Sequence, residues 1–288
     1  LVTAPRPPDL FVERPAEFDQ LITQLLGEVT NSNPKTVPHT IAIQGGGGFG
    51  KTTLTQAICH HPKVQAAFPD AILWIELGQN PNLLELLAKQ INLLTQERAV
   101  FAEDVNAAAT HFRKVLSDRR VLVVLDDVWD DTHVRPFLPD NRQCASLLTT
   151  RRQDIAAYLG AQTVSVNQMS IDQATDLLLR WLDGPLANLQ PIQALAQYLA
   201  EWPLLLTLAG AYLRELTQID RRPLTEAIAS LRRRLERKGF TYLDRTNEGA
   251  RSKAISVNLE LSLERLGQRW HKRSLARAIF PKGRDIPF

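Results

Sequence analysis

The sequence predicts an α/β protein in which a parallel sheet is followed by an all-helical second domain. Three observations predict it. Short apolar runs alternate with helix-compatible segments as far as Val166, the pattern of strands joined by helical crossovers. One of them, Val121-Leu122-Val123-Val124-Leu125, is apolar without interruption, as a central parallel strand covered on both faces requires. Beyond Val166 the strand signals stop and helical periodicity takes over.

Taken in order, Leu1 to Pro8 holds three prolines and reads as an extended linker. A helix follows, with Phe18, Leu21, Ile22, Leu25 and Val29 on one face, and then a turn-rich loop from Asn31 to Pro38. Ile41 to Ile43 is the first core strand, and the helix after it runs to about His60. Ala71 to Leu77 is a second strand, rich in β-branched and aromatic residues. Helices are expected at Leu83–Leu94 and Glu103–Leu116, and further strands at Val121–Leu125, Ala145–Thr149 and Thr163–Val166. Ser170-Ile171-Asp172-Gln173 has the spelling of a capping box, in which the Ser and Gln side chains satisfy each other's backbone N–H groups. It opens the helical part, which continues through Leu189–Ala200, Pro203–Leu216 and Leu224–Lys238. A polar break at Thr246 to Gly249 precedes one more amphipathic helix, with Ile255, Leu259, Leu263 and Leu266.

The totals bound the reading. A chain of 288 residues suggests two domains with a partial third. Hydrophobic content of 44% and charged content of 23% are ordinary for a globular protein. A net charge of +3 is too weak to imply a nucleic-acid partner. Cys59 and Cys144 are the only cysteines, which gives neither a disulfide framework nor zinc spacing; a cytoplasmic location is expected. No apolar run approaches 18 residues, so no membrane span is expected. The chain opens on Leu1 rather than Met and closes on Ile286-Pro287-Phe288, and is expected to be a fragment of a longer protein.

Between the first strand and its helix lies Gly45-Gly46-Gly47-Gly48-Phe49-Gly50-Lys51-Thr52, followed by Thr53. It fits G-x-x-x-x-G-K-[ST], the phosphate-binding loop, in the strand–loop–helix context that the motif requires. Glycines let the backbone bring successive N–H groups to phosphate oxygens, and the helix that follows points its positive end at the same anion. Lys51 supplies a mobile charge for the β- and γ-phosphates, and the Thr52 hydroxyl can ligate Mg²⁺. Nine residues, Gly45 through Thr53, are thus candidates for binding the nucleotide.

The apolar strand Val121–Leu125 ends in Asp126-Asp127. Downstream of a phosphate loop this is the Walker B arrangement, which brings Asp126 to the Mg²⁺ beside Thr52. Asp127 stands where hydrolytic P-loop proteins often hold Glu, and its shorter reach predicts slow hydrolysis. Arg151 ends the strand Ala145–Thr149. Ligands sit beyond the carboxyl ends of parallel strands, so Arg151 is a candidate sensor of the γ-phosphate. The catalytic candidates are Lys51, Asp126, Asp127 and Arg151; the metal candidates are Thr52 and Asp126.

Phe11-Val12-Glu13-Arg14, Gly45–Thr52, Leu125–Trp129, Leu148-Thr149-Thr150-Arg151 and Trp202-Pro203-Leu204 stand in the order of the NB-ARC module. The chain resembles this module over nearly its whole length; the module is shared by the apoptosome scaffold, plant disease-resistance proteins and bacterial STAND signalling ATPases. The resemblance implies an AAA+-like P-loop NTPase sheet over residues 9–167 after the linker 1–8, a small helical domain over 168–245, and the truncated beginning of a winged-helix domain over 246–288. It also implies the adenine end of the site: Val12 and Arg14 beside the base, Pro203 with Leu204 packing on it from the helical domain, and Thr207 approaching the phosphates. The family's G-x-P motif has Glu201 in place of its glycine here, which puts the turn geometry before Pro203 in question.

The function so implied is an ADP/ATP-binding switch of a STAND signalling protein, with Mg²⁺ as cofactor and slow hydrolysis. Self-association is expected in the ATP state, and sensor and effector domains are expected outside this chain. Two other readings stay open: a turnover AAA+ ATPase, and an ATP-regulated DNA-binding regulator. The basic run Arg232-Arg233-Arg234 is read as a solvated helix face, Trp74 and Trp181 as core, and His111 as a surface residue.

Overall fold

In the computed structural model, residues 1–27, 39–96, 104–182 and 188–238 are described. The expected winged-helix segment 246–288, the loop Asn31–Pro38 and Val29 lie outside them. The chain divides into two compact units. The first takes its described residues from Leu1–Pro8, Arg14–Gly45 and Lys51–Val166; the second takes them from Asp9–Glu13, Gly46–Gly50 and the stretch that starts at Asn167.

The first unit runs α1 (Pro15–Gly27), β1 (His39–Gln44), α2 (Lys51–Cys59), α3 (Pro62–Ala67), β2 (Ala71–Gly78), α4 (Leu83–Thr95), α5 (Val105–Leu116), β3 (Val121–Val128), α6 (Asp131–Val134), β4 (Ala145–Thr150), α7 (Gln153–Tyr158) and β5 (Gln162–Ser165). The five strands are all parallel, in the order β2-β3-β4-β1-β5. Parallel neighbours cannot be joined by hairpins, so the intervening helices cover the sheet. On one face, Val121, Val123 and Leu125 of β3 pack with Leu87 and Ile91 of α4 and with Phe112 and Leu116 of α5. Leu122 and Val124 point to the other face and are equally buried. This is why β3 is apolar without a break. The α/β class of the first unit, a P-loop-bearing parallel sheet, is as expected.

The edge of β2 is not open. Leu1–Thr3, in the stretch expected as a linker, are extended and pair alongside it. Val2 bridges Ile72 in parallel, the Thr3 amide donates to the Ile72 carbonyl at 2.9 Å, and the Ile72 amide donates to the Leu1 carbonyl at 2.7 Å. An edge strand offers unpaired N–H and C=O groups, and these residues take them. Trp74, half-buried here, has its amide bound by Thr3 Oγ1 at 2.7 Å.

The second unit contains α8 (Ile171–Trp181), α9 (Gln190–Tyr198), α10 (Pro203–Arg214) and α11 (Leu224–Lys238). The capping box forms as its spelling predicts: Gln173 N–H donates to Ser170 Oγ, and Ser170 N–H donates to Gln173 Oε1 at 2.9 Å. Leu178, Leu195, Leu206, Leu213 and Leu231 meet in one core, which also takes in Val12 from far upstream. Arg180 and Gln173 hold that upstream segment by donating to the carbonyls of Phe11 and Glu13, at 2.6 and 3.3 Å. Residues Glu215–Ile219 continue α10 as one π-helical turn. The basic run of α11 is more than a solvated face, since Arg232 and Arg234 lie over the rings of Tyr198 and Tyr212, 5.1 and 5.8 Å from their centroids; the flat guanidinium stacks where an ammonium would seek water.

Candidate nucleotide-binding site

The buried residues Ile41, Ala42 and Ile43 fix β1 in the sheet, and α2 starts seven residues after Gln44, at Lys51. Gly45 leaves the strand pressed against the chain after β5: a Cβ there would run into the Val166 carbonyl oxygen. Lys51 is buried to 8% exposure, and its ammonium donates to the Gly45 carbonyl at 2.8 Å. Burial lowers its pKa to about 8; Arg151 adds to the shift, and Asp127 and Asp126 oppose it.

The two acids lie on an irregular part of β3. Leu125 pairs with Leu148, and the next pair is Val128 with Thr150. Asp126 and Asp127 therefore stand opposite Thr149 alone, as a β-bulge, and Asp127 takes a left-handed backbone with φ 54°. Asp tolerates that region better than most residues. The Asp126 carboxylate accepts from Thr52 Oγ1 at 2.9 and 3.1 Å and from Thr149 Oγ1 at 2.6 Å. Burial pushes the Asp126 carboxyl up in pKa, while the Thr149 and Thr52 hydroxyls oppose the shift. Thr52 is exposed at the start of α2. Its hydroxyl and the carboxylate are hard oxygen donors within hydrogen-bond reach of each other, a donor set that fits Mg²⁺. Among the described residues no group of three His, Cys, Asp or Glu could hold a metal.

Arg151 follows β4, with its guanidinium carbon 5.2 Å from the ring centroid of Trp129. Arg152 binds Asp154 and donates to the Trp129 carbonyl at 3.0 Å. Lys51, Thr52 and Arg151, which follow β1 and β4, and Asp126 and Asp127, in the last residues of β3, thus gather at the carboxyl ends of these strands, where ligands of a parallel sheet bind. Thr53 follows on the first turn of α2, half-buried. Arg14 is buried at the start of α1 and pairs with Glu17 at 2.8 Å; burial lowers its pKa, against the pull of Glu17.

The tip of the loop, Gly46–Gly50, belongs to the second unit. Trp202 Nε1 donates to the Gly47 carbonyl at 3.0 Å, and the Leu204 amide donates to the Gly48 carbonyl at 3.2 Å. The Phe49 and Trp202 rings lie 6.2 Å apart. Gly48, at φ 75°, cannot carry a side chain: a Cβ would sit 2.8 Å from both Trp202 Nε1 and Leu204 Cβ. A loop that presents N–H groups to an anion turns its carbonyls outward, and here two of them find donors. Pro203 is buried at the first position of α10, with Thr207 half-buried one turn on.

The turn before Pro203 answers the question raised by Glu201. Ala200 and Glu201 both have positive φ, 55° and 48°. The Glu201 amide donates to the Ala196 carbonyl and the Ala200 amide to the Gln197 carbonyl, both at 3.0 Å. This pair of bonds is a Schellman motif closing α9, so the turn forms here with L residues at both positions. Sequence reasoning missed two residues, Trp202 and Thr149. Both lay inside segments already singled out, Trp202-Pro203-Leu204 and Leu148-Thr149-Thr150-Arg151, but neither was given a role of its own.

The family model of the NB-ARC domain matches residues 17–181. The regulatory protein AfsR of Streptomyces coelicolor is 32% identical over 168 residues, 57% of this chain and 16% of that protein. Apoptotic protease-activating factor 1 of Danio rerio is 26% identical over 226 residues, 73% of this chain and 17% of that protein. At3g14460 of Arabidopsis thaliana, assigned to disease resistance, is 26% identical over 293 residues, 96% of this chain and 19% of that protein. The chain thus spans less than one fifth of the length of each of these relatives. Among solved structures, a chain of Drosophila ORC bound to DNA has a TM-score of 0.54 at 14% identity, covering 98% of this chain and 77% of that one; this is a likeness of fold.

Proposed function

Because the chain belongs to the NB-ARC family, we propose that it is the adenine-nucleotide switch of a larger signalling protein, cytoplasmic, binding ADP in a resting state and ATP in an active one. The observation that carries this reading is the cluster of Lys51, Thr52, Asp126 and Arg151 at the carboxyl ends of the parallel strands.

Each residue has a task in this reading. The N–H groups of Gly46–Gly50 and the start of α2 hold phosphate oxygens, and Lys51 leaves the Gly45 carbonyl for the β- and γ-phosphates. Thr52 and Asp126 would hold Mg²⁺, which when bound would neutralise charge on the phosphates. Arg151 reaches the γ-phosphate and so distinguishes ATP from ADP. Val12, Arg14, Pro203 and Leu204 surround the base, and Thr207 approaches the phosphates. Asp127, with its short side chain, orients water poorly, so hydrolysis is slow and resets the switch rather than driving work.

The ligand moves the equilibrium only by its differential affinity for the two states; a swing from 1:99 to 99:1 needs about 5.5 kcal/mol. ATP favours the state that self-associates, and the sensor and effector parts lie elsewhere in the protein. Steady-state ATP hydrolysis tests this reading. The expected turnover lies far below about 1 s⁻¹, the lower end for dedicated enzymes, while ADP still binds. A turnover well above that value makes the chain a working ATPase instead.

A further inference from the structure

The switch reading gives Thr52 and Asp126 to the cation but leaves Thr149, two residues before Arg151, without a task. We infer that Thr149 is the positioning residue that aims the Asp126 carboxylate at a divalent cation, an inference that rests on the nucleotide reading above.

The β-bulge creates the need. With Asp126 and Asp127 opposite the single residue Thr149, the regular ladder lapses between Leu125 and Val128. The Thr149 hydroxyl repairs it by accepting from the Asp127 amide at 2.9 Å. A hydroxyl has one proton and two lone pairs. Having accepted from an N–H, Thr149 directs its only proton to Asp126 Oδ1, at 2.6 Å, the short distance of a bond to an ionised acceptor. One side chain therefore closes the bulge and fixes the acid that the bulge displaces.

Thr52 cannot do this work. It is exposed and donates to the same carboxylate at 2.9 and 3.1 Å, but a hydroxyl that ligates a cation turns a lone pair toward it and gives up part of its freedom to donate. Thr149 is 1% exposed and β-branched, with χ1 restricted. It is the hydroxyl partner that stays in place when Thr52 changes role. Outer partners of this kind, which touch neither metal nor phosphate, commonly change metal affinity 10- to 100-fold.

The test compares ATP affinity with Mg²⁺ and with EDTA, in nucleotide-stripped wild type, T149V and T149S. Val keeps the shape and removes the hydroxyl; Ser restores the hydroxyl. The expected result is that T149V loses about tenfold or more of the Mg²⁺-dependent gain in affinity. In EDTA its affinity stays within about twofold of wild type, and T149S recovers the gain. A T149V that keeps the gain, or that weakens equally with Mg²⁺ and EDTA, overturns the inference. So does a wild type that binds ATP with no Mg²⁺ gain. A wild type that binds no ATP under either condition overturns the nucleotide reading itself. If T149V does not fold, T149A, which also removes the hydroxyl, carries the same comparison with the same outcomes.

Discussion

The Lys51 ammonium donates to the Gly45 carbonyl at 2.8 Å, so the charge that the proposed reading assigns to a phosphate rests on the first residue of its own loop. Burial, with Arg151 adding to it, holds this lysine at about 8 against a usual 10.5. Phosphate selects the protonated amine. Near pH 8, ADP binding is expected to take up about half a proton, and affinity is expected to fall as pH rises further. Calorimetry in two buffers of different ionisation enthalpy reads the uptake; none at pH 8 would contradict the assignment. For the free protein the linkage has the other sign. The folded pKa lies below the unfolded one, so the unfolded chain binds more protons between about 8 and 10.5 and Lys51 contributes rising stability across that window.

Ala200 and Glu201 occupy left-handed backbone at the end of α9, at φ 55° and 48°. Such positions cost L residues about 1–2 kcal/mol, and glycine little. Glycine also loses more entropy on folding, which offsets part of the gain. A200G and E201G are each expected to stabilise the protein by about 0.5–1 kcal/mol. Urea denaturation checks this, and a loss of stability in both would mean that the turn differs from the one described.

Trp202 donates its indole N–H to Gly47. W202F keeps an aromatic ring and removes the donor, which leaves a loop carbonyl seeking a partner. A hydrogen bond of this kind contributes about 1 kcal/mol, so ADP affinity is expected to fall about fivefold. Titration of ADP into W202F measures it; unchanged affinity would mean that the loop holds its shape without the indole.

The phosphate loop, the Walker B acids and the capping box were legible because each depends on local spelling, and the structure puts each in the strand, loop or helix its spelling calls for. Three short helices, α3, α6 and α7, were not foreseen. They have six, four and six residues, less than two turns each, too few for a periodic signal. β3 runs on to Val128, past the expected Leu125, because a bulge lets the ladder resume after two polar residues. The role of Thr149 was hidden for the same reason: it follows from which residue the bulge leaves opposite the acids, and register is a property of two strands. Likewise Val12 looked like one motif with Arg14, yet their side chains are buried in different units.

Arg151 lies over Trp129, 5.2 Å from its centroid, and near enough to Lys51 to depress its pKa. A charge-assisted bond to the γ-phosphate contributes about 1.5–3 kcal/mol. R151A is expected to weaken ATP by about tenfold or more while ADP stays within about twofold. Competition binding of the two nucleotides decides it, and equal loss of both would remove Arg151 from the sensor role.

The most direct measurement is the thermal midpoint with and without ADP, in wild type and in K51A. Ligand at about 100 times its Kd adds about 2.7 kcal/mol of stability, which for a chain of this size raises the midpoint by about 5 °C or more. Wild type is expected to show that rise and K51A to show none. A K51A protein that still gains the full shift with ADP would mean that the nucleotide is held somewhere other than the glycine loop.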